Sequence, residues 1–140
     1  MNGRPRERSR IVLRVTIEPG LWGEADLLVS EADTALAMAS GDVPVLATPR
    51  VVSLCEQAAC AALAGHLRQG ETSVGMRVQL DHLAPTGIGG KARAEATLDK
   101  VEGRRLIFTV SVSDGRGLIA AGKVTRVVVD VERFLDKASD

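Results

Sequence analysis

The chain has 140 residues, enough for one domain with a substantial hydrophobic core. Lysine and arginine total 18, as do aspartate and glutamate, and this zero formal net charge argues against nucleic-acid binding by bulk electrostatics. Aromatic residues make up 2% of the chain, so a stacking surface for bases is not expected either. The absence of a membrane-length apolar run or a signal-peptide core, with only two cysteines, predicts a cytoplasmic protein that has no membrane partner.

The N-terminal third of the sequence predicts one strand and one long connection. Residues 1–9 are rich in arginine, and we interpret them as a flexible arm. Apolar and polar residues alternate over 10–18, which is typical of a half-buried strand. Residues 21–45 have no sustained period. We expect a connection there that lies over another part of the fold, with a short helical turn at 34–39.

Residues 48–70 form the most apolar stretch of the chain and predict a helix. Thr48 is placed to be its N-cap, because a threonine hydroxyl can accept from a free N–H of the first turn, and Gly70 is placed to end it. The residues between are apolar on nearly every side, so we expect a buried helix. Glu56 lies in its middle, and a buried carboxylate is costly unless it is paired or hydrogen-bonded. From the residues alone, a pair with an arginine such as Arg126 is about as plausible as catalysis.

After residue 70 the pattern becomes alternating, which predicts four strands joined mainly by tight turns. They span residues 72–83, 91–101, 105–113 and 118–131. Tight turns imply antiparallel neighbours, so together with the first strand we expect five antiparallel strands curled around one helix. This is the hotdog arrangement of the α+β class. We assign it to a single domain at 10–135, with a short helix at 133–137 and a tail at 136–140.

Two residues of the strand at 72–83 are candidates for function. Alternation places His82 on one face with four apolar residues, Val74, Met76, Val78 and Leu80. A histidine on such a face is more often a core residue than a catalyst, although a place at the strand end favours function. Gly75 interrupts the strand, which indicates either a bulge or a close approach of a ligand to the backbone. In the last strand, Gly122 is a candidate for a bulge or bend.

Three segments carry a family resemblance. They are ATPRVVSLCEQAAC (47–60), TSVGMRVQLDHLAPTGIGG (72–90) and KVEGRRLIFTVSVSDG (100–115). Together they resemble the hotdog thioesterases of the fluoroacetyl-CoA thioesterase type, with similarity over roughly residues 43–135. The resemblance implies an enzyme that cleaves an acyl-CoA thioester to a free acid and CoA without a cofactor. It also implies a homodimer whose sheets join edge to edge, with active sites at the interface.

The resemblance also implies roles for five residues. Thr48, Glu56 and His82 match the catalytic set of the family, and Gly75 and Arg126 match residues at the substrate. Glu56 would act as base or nucleophile with Thr48 supporting it, and His82 would polarise the thioester carbonyl or protonate the thiolate. The N–H of Gly75 would donate to the oxyanion.

The spacing of the catalytic set has a consequence for where the site lies. Eight residues separate Thr48 from Glu56, a rise of about 12 Å along one straight helix. These two side chains therefore cannot meet directly, which favours a site composed at a dimer interface. No metal site is expected, because two distant histidines and two cysteines on one helix do not form a ligand set.

The sequence departs from the family in the segment before Thr48. Members carry phenylalanines there that gate a small fluorinated substrate, whereas residues 39–47, ASGDVPVLA, contain no aromatic residue. We therefore carry over the reaction class and not the fluoroacetyl substrate. One alternative is a hotdog dimer that binds acyl-CoA without catalysis. An enoyl-CoA hydratase is a weaker alternative, because Asp81 and His82 are adjacent and no Asn-Pro pair is present.

Overall fold

A computed structural model describes residues 17–139. Five antiparallel strands form one sheet in the order β1-β3-β4-β5-β2. The strands are β1 (Trp22–Leu28), β2 (Glu71–His82), β3 (Lys91–Glu102), β4 (Arg105–Asp114) and β5 (Gly117–Asp130). The helices are α1 (Thr48–Leu63) and α2 (Val131–Ala138), and a 3-10 turn covers Glu31–Asp33. Because α1 packs against all five strands, the predicted hotdog arrangement of one long helix and a five-stranded antiparallel sheet is confirmed.

The first strand of the sheet lies later in the chain than predicted. β1 falls within the segment that we expected to be a connection, and it pairs antiparallel with β3. Most of the strand predicted at 10–18 lies outside the described residues, and Ile17 and Glu18 belong to no strand. The sequence of β1, WGEADLL, has no clean alternation. Its conformation is therefore set by pairing with β3 and by the helix above it rather than by local propensity.

Gly23 in β1 permits the close packing of α1 on the sheet. A Cβ at this position would overlap the carbonyl oxygen of Ala58 and the backbone nitrogen of Ala62. Backbone atoms of a helix cannot rotate away as a side chain can. The absence of a side chain at Gly23 therefore fixes how closely β1 and α1 approach.

We expect Gly23→Ala to destabilise the protein by about 1–3 kcal/mol, since the added methyl group overpacks this contact. The measurement is urea denaturation, read as a lower midpoint with an unchanged slope. Gly115→Ala is the matched control, because a Cβ at Gly115 in the turn between β4 and β5 would meet no atom within 4 Å. A Gly23→Ala midpoint equal to that of the control would contradict the packing argument.

Helix α1 differs from the prediction at both ends and on one side. Its N-cap is Ala47 rather than Thr48, and it ends at Leu63 rather than near Gly70. Gly70 does adopt a left-handed conformation, with φ of 84°, but in the turn before β2. The helix is also not buried all round in the described chain. Beyond its first turn, three of its residues are exposed: Gln57, Cys60 and Ala61.

The hydrophobic core lies between α1 and the inner face of the sheet. The predicted inward residues of β3 and β4 are confirmed as buried: Ala92, Ala94, Ala96, Leu98, Leu106, Phe108, Val110 and Val112. Seven residues of α1 cover them: Val51, Leu54, Cys55, Ala58, Ala59, Ala62 and Leu63. β4 contributes large side chains to this core, whereas β3 and α1 contribute mostly small ones. The helix therefore packs more closely against β1 and β3 than against the other strands.

Strand β2 changes face at Met76. Gly75 pairs with Arg126 and Arg77 pairs with Thr125, so Met76 is an extra, bulged residue. Directly opposed residues of antiparallel strands point to the same face of the sheet. The helix-facing residues of β2 are therefore Ser73, Gly75, Val78, Leu80 and His82, because their partners include the buried Val128, Arg126, Val124 and Ala120.

The predicted face of β2 is thus wrong for Val74 and Met76. Val74 precedes the bulge and points to the outer face, and Met76 is 44% exposed. Gly122 in β5 is not a bulge, because it pairs regularly with Leu80 of β2 and Val110 of β4. A side chain there would overlap the backbone of Gln79.

The remaining segments agree broadly with the sequence. After the 3-10 turn, the N–H of Met38 donates to the carbonyl of Thr34 at 2.9 Å, within the turn predicted at 34–39. The C-terminal helix predicted at 133–137 is longer in the structure, and the carboxylate of Asp130 caps it by accepting from the N–H of Arg133. Across residues 17–139, no helix combines the length and the apolar character that crossing a membrane requires.

Candidate active site

The first cluster of predicted site residues is a hydroxyl–imidazole pair, Thr48 and His82. Thr48 Oγ1 lies 2.8 Å from His82 Nδ1, so the first residue of α1 contacts the last residue of β2. The bulge at Met76 places the imidazole on the helix side of the sheet. Ala47 occupies the N-cap position, and the Thr48 hydroxyl binds the imidazole instead of capping the helix.

His82 lies in an environment that favours the neutral imidazole. Burial lowers the pKa of His82 from its ordinary value of 6.5, and an interaction with the backbone of Ala84 partly opposes this shift. Nε2 is buried and has no hydrogen-bond partner among the described residues. Since Nδ1 is occupied by Thr48, Nε2 is the ring nitrogen whose hydrogen bond is not made within the described residues.

The lowered pKa of His82 predicts a pH-dependent stability. The unfolded chain binds more protons than the folded protein at pH values below about 6.5, so the free energy of unfolding falls as the pH falls through this window. One such group contributes a slope of at most about 1.4 kcal/mol per pH unit. We expect thermal unfolding between pH 7 and 5 to show a smaller fall in melting temperature for His82→Gln than for the wild type.

Two carboxylates with lowered pKa values titrate below this window. Hydrogen bonds from the backbone of Ser30 and Arg116 lower the pKa of Asp33 and Asp114 below 3.8, so their stabilisation is lost only at more acid pH. The difference between the wild type and His82→Gln above pH 5 therefore reports His82. Identical pH profiles for the two proteins would contradict burial of the imidazole.

The second cluster is a carboxylate–guanidinium pair, Glu56 and Arg126. Arg126 Nη1 donates to Glu56 Oε2 at 3.0 Å, and the exposed fractions of the two side chains are 8% for Arg126 and 32% for Glu56. The pairing with Arg126 that the sequence offered is therefore observed, and catalysis by Glu56 stays a prediction. Pairing does not remove it from chemistry: no described residue hydrogen-bonds Oε1, and the side chain remains one-third exposed.

Gly75 lies against this pair. A Cβ on Gly75 would overlap Glu56 Oε2 and would lie 3.6 Å from Arg126 Nη1. Gly75 directly precedes the bulge at Met76, and the approach of a ligand to its backbone stays a prediction. The group that approaches its backbone within the chain is the carboxylate of Glu56.

The structure brings the five predicted residues into two clusters rather than one. Thr48 and His82 form the first, and Glu56, Gly75 and Arg126 form the second. They are separated by about 12 Å along α1 and by roughly 20 Å along β2. Within one chain the imidazole therefore does not reach the carboxylate, as the helix spacing predicted for Thr48.

A cleft of about 330 Å³ opens beside the hydroxyl–imidazole pair. Residues 40–48 and 82–85 supply most of its wall, so the connection between β1 and α1 borders the candidate site as expected. Its exposed apolar side chains include Val43 and Leu83, and Asp42 is the carboxylate in the wall. A cleft of this size is large enough for a small acyl group and part of a carrier arm, but not for a whole CoA.

The connection that borders the cleft is tied to the rest of the fold. Val45 forms an isolated β-bridge with Gly87. The Arg50 Nε to Asp33 Oδ1 distance is 3.1 Å, and both side chains of this ion pair are mostly buried. The wall beside Thr48 is therefore anchored to the first turn of α1 as well as to the loop after β2.

Sequence reasoning missed one residue of the second cluster, Ser73. Its hydroxyl accepts from Arg126 Nε and its carbonyl accepts from Arg126 Nη2, each at 2.8 Å. Simple alternation placed Ser73 on the outer face of β2, and a serine in a strand carries no other signal. In residues 17–139, no group of three His, Cys, Asp or Glu side chains is arranged to hold a metal ion.

Comparisons with known proteins place this site in a family. The family of fluoroacetyl-CoA-specific thioesterases matches residues 29–132. The fluoroacetyl-CoA thioesterase of Streptantibioticus cattleyicolor is 40% identical over 90 residues, which cover 64% of this chain and 65% of that protein. The chain thus matches slightly less than two thirds of the length of this curated relative.

Comparison with solved structures gives the same result as comparison with sequences. A variant of the fluoroacetyl-CoA-specific thioesterase FlK in complex with fluoroacetate and CoA is 33% identical, with a TM-score of 0.78 over 84% of this chain and 99% of that chain. A hot-dog-like protein from Thermanaerovibrio acidaminovorans is 27% identical, with a TM-score of 0.79 over 87% of this chain and 90% of that chain. The family match spans well over half of the sequence, and the predicted resemblance is confirmed: the chain belongs to the fluoroacetyl-CoA-specific thioesterase family.

Proposed function

We propose that this protein hydrolyses a small acyl-CoA thioester to a free acid and CoA. The observation that carries the proposal is the 2.8 Å contact between Thr48 Oγ1 and His82 Nδ1 beside a cleft, in a chain of this family. Nε2 of His82 is buried and has no hydrogen-bond partner among the described residues, which is compatible with a hydrogen bond to a substrate. The relatives are named for fluoroacetyl-CoA hydrolysis, and one binds CoA with fluoroacetate.

Thioester hydrolysis needs an attacking group, a stabilised oxyanion and a proton for the departing thiolate. In our proposal Glu56 supplies the attack through Oε1, either directly or by activating water, while Arg126 holds Oε2. His82, supported by Thr48, polarises the carbonyl through Nε2 or protonates the thiolate. The backbone N–H of Gly75 donates to the oxyanion. No cofactor takes part, and CoA enters only as part of the substrate.

We propose that each complete site forms between two copies of the chain. β2 is an edge strand of the sheet, and Gln57, Cys60 and Ala61 of α1 are exposed. Two-fold pairing of β2 edges would run the second β2 antiparallel to the first. The His82 end of one copy would then approach the Glu56 and Gly75 region of the other. In this arrangement the hydroxyl–imidazole pair of one copy and the carboxylate–guanidinium pair of the other would together form one site.

The acyl group of the substrate is not necessarily fluorinated. The cleft wall at 40–48 is built from small and aliphatic residues with Asp42, and none of these residues has an aromatic ring that could enclose a two-carbon acyl group. We propose a short aliphatic acyl-CoA as substrate. We also propose a cytoplasmic location, where thiols stay reduced, since Cys55 and Cys60 are both free.

The test is steady-state hydrolysis of a panel of short acyl-CoAs, with the released CoA trapped by a thiol reagent. We expect the wild type to turn over at least one member of the panel and Glu56→Ala to turn over none at a comparable rate. Release of no CoA above the Glu56→Ala background would overturn the proposal. Calorimetric binding of a thioether analogue without any turnover would then favour the acyl-CoA-binding dimer.

A further inference from the structure

Arg126 is held by more groups than its contact with Glu56 requires. Its side chain is 8% exposed, and three of its nitrogen atoms are engaged by described residues. Nε donates to the hydroxyl of Ser73, Nη2 donates to the carbonyl of Ser73, and Nη1 donates to Glu56. Ser73 therefore binds two nitrogen atoms of the guanidinium, and the third nitrogen binds the carboxylate of Glu56.

The planar geometry of a guanidinium makes these two hydrogen bonds directional. Its donors lie in one plane and in a fixed fork, so two hydrogen bonds to a single residue fix the plane as well as the position. Ser73 lies 9% exposed on the helix-facing side of β2, two residues before Gly75. With the plane fixed, Nη1 can meet only one oxygen of Glu56. The other oxygen, Oε1, stays free of described partners.

We propose that Ser73 is a positioning residue of the active site, which holds Arg126 so that Glu56 presents Oε1 to the substrate. The inference rests on the proposed thioesterase function and adds a residue that acts through Arg126 rather than on the substrate. Without the Ser73 hydroxyl, Arg126 keeps its charge but loses the acceptor at Nε. The guanidinium then turns about the remaining bonds, and the carboxylate follows it.

The first test is the kinetics of Ser73→Ala on an acyl-CoA that the wild type hydrolyses. We expect kcat to fall about 10- to 100-fold, with KM changed less than about threefold. The reason is that misplacing a reacting group by up to about 1 Å acts mainly on the chemical step. Ser73→Thr keeps the hydroxyl and should recover most of the loss. Ser113→Ala, at an exposed serine of β4, is the matched control and should match the wild type.

The second test separates positioning from a general loss of stability. In a double-mutant cycle with Arg126→Lys, Ser73→Ala should lower kcat less than about twofold, because lysine has no Nε for Ser73 to hold. An equal loss in both backgrounds would overturn the inference, as would a wild-type kcat for Ser73→Ala. If Ser73→Ala does not fold, Ser73→Cys takes its place in the same cycle. A wild type that hydrolyses no acyl-CoA would instead refute the proposed function.

Discussion

Mixing two inactive variants, Glu56→Ala and His82→Ala, is expected to restore about a quarter of the wild-type activity. Each substitution alone should lower kcat by about 10²- to 10⁴-fold, the range for loss of an acid–base group. If each site takes Glu56 from one copy and His82 from the other, a mixed dimer has one site with both substitutions and one intact site. Random exchange makes half of the dimers mixed, and half of their sites are intact.

The control for this experiment uses two residues of the same cluster. Thr48→Ala mixed with His82→Ala should not recover activity. Each site takes its hydroxyl–imidazole pair from a single copy, and this pair is damaged in both copies. Thr48→Ala mixed with Glu56→Ala should recover to the same extent as the first mixture. Co-expression with two different tags allows the mixed dimer to be purified before assay. A purified mixed dimer of Glu56→Ala and His82→Ala without activity would exclude the composite site.

Gly75→Ala is expected to abolish most of the activity while leaving the fold intact. The added Cβ would take the space of Glu56 Oε2. The obstacle is the far end of a flexible side chain, so the carboxylate moves rather than the backbone. We expect kcat to fall about 100-fold, since displacement of a reacting group by about 1 Å has an effect of this size. The melting temperature should stay close to that of the wild type or rise slightly, because alanine is favoured over glycine in a strand.

Two measurements make this result specific. Gly115→Ala introduces the same methyl group into open space in the turn between β4 and β5, and it should keep wild-type kinetics. The circular dichroism and melting temperature of Gly75→Ala should be recorded beside its kcat. Wild-type kcat in a folded Gly75→Ala protein would show that the Glu56 carboxylate is not needed in its present position.

Much of the fold was predictable because burial and alternation coincide in β3 and β4. In β1 they do not, since WGEADLL forms a strand only through its pairing with β3 and the close approach of α1 at Gly23. The burial of α1 was overestimated for a related reason. Alanine and cysteine are tolerated on exposed as well as buried faces, so a run of them does not identify the buried side.

The predicted site residues lie together in two clusters, but their contacts were less predictable. Thr48 looked like a cap because its residue type and place suited one, but the nearby imidazole of His82 competes for the same hydroxyl. The Glu56–Arg126 pair was one of two open interpretations, and only the tertiary structure shows it, while catalysis by Glu56 stays a prediction. Ser73 could not be found at all, because a one-residue bulge later in β2 reverses which residues face the helix.

That bulge at Met76 also constrains how the chain can change in length. Because side chains alternate along a strand, removing a single residue after the bulge, with the bulge kept, would turn His82 away from Thr48 while leaving Ser73 and Gly75 where they are. Insertions and deletions between Gly75 and His82 therefore preserve the site only in pairs, or when the bulge is gained or lost together with them. For any relative that keeps the bulge, the parity of that interval is a criterion for aligning the histidine, and it needs no similarity in the residues between.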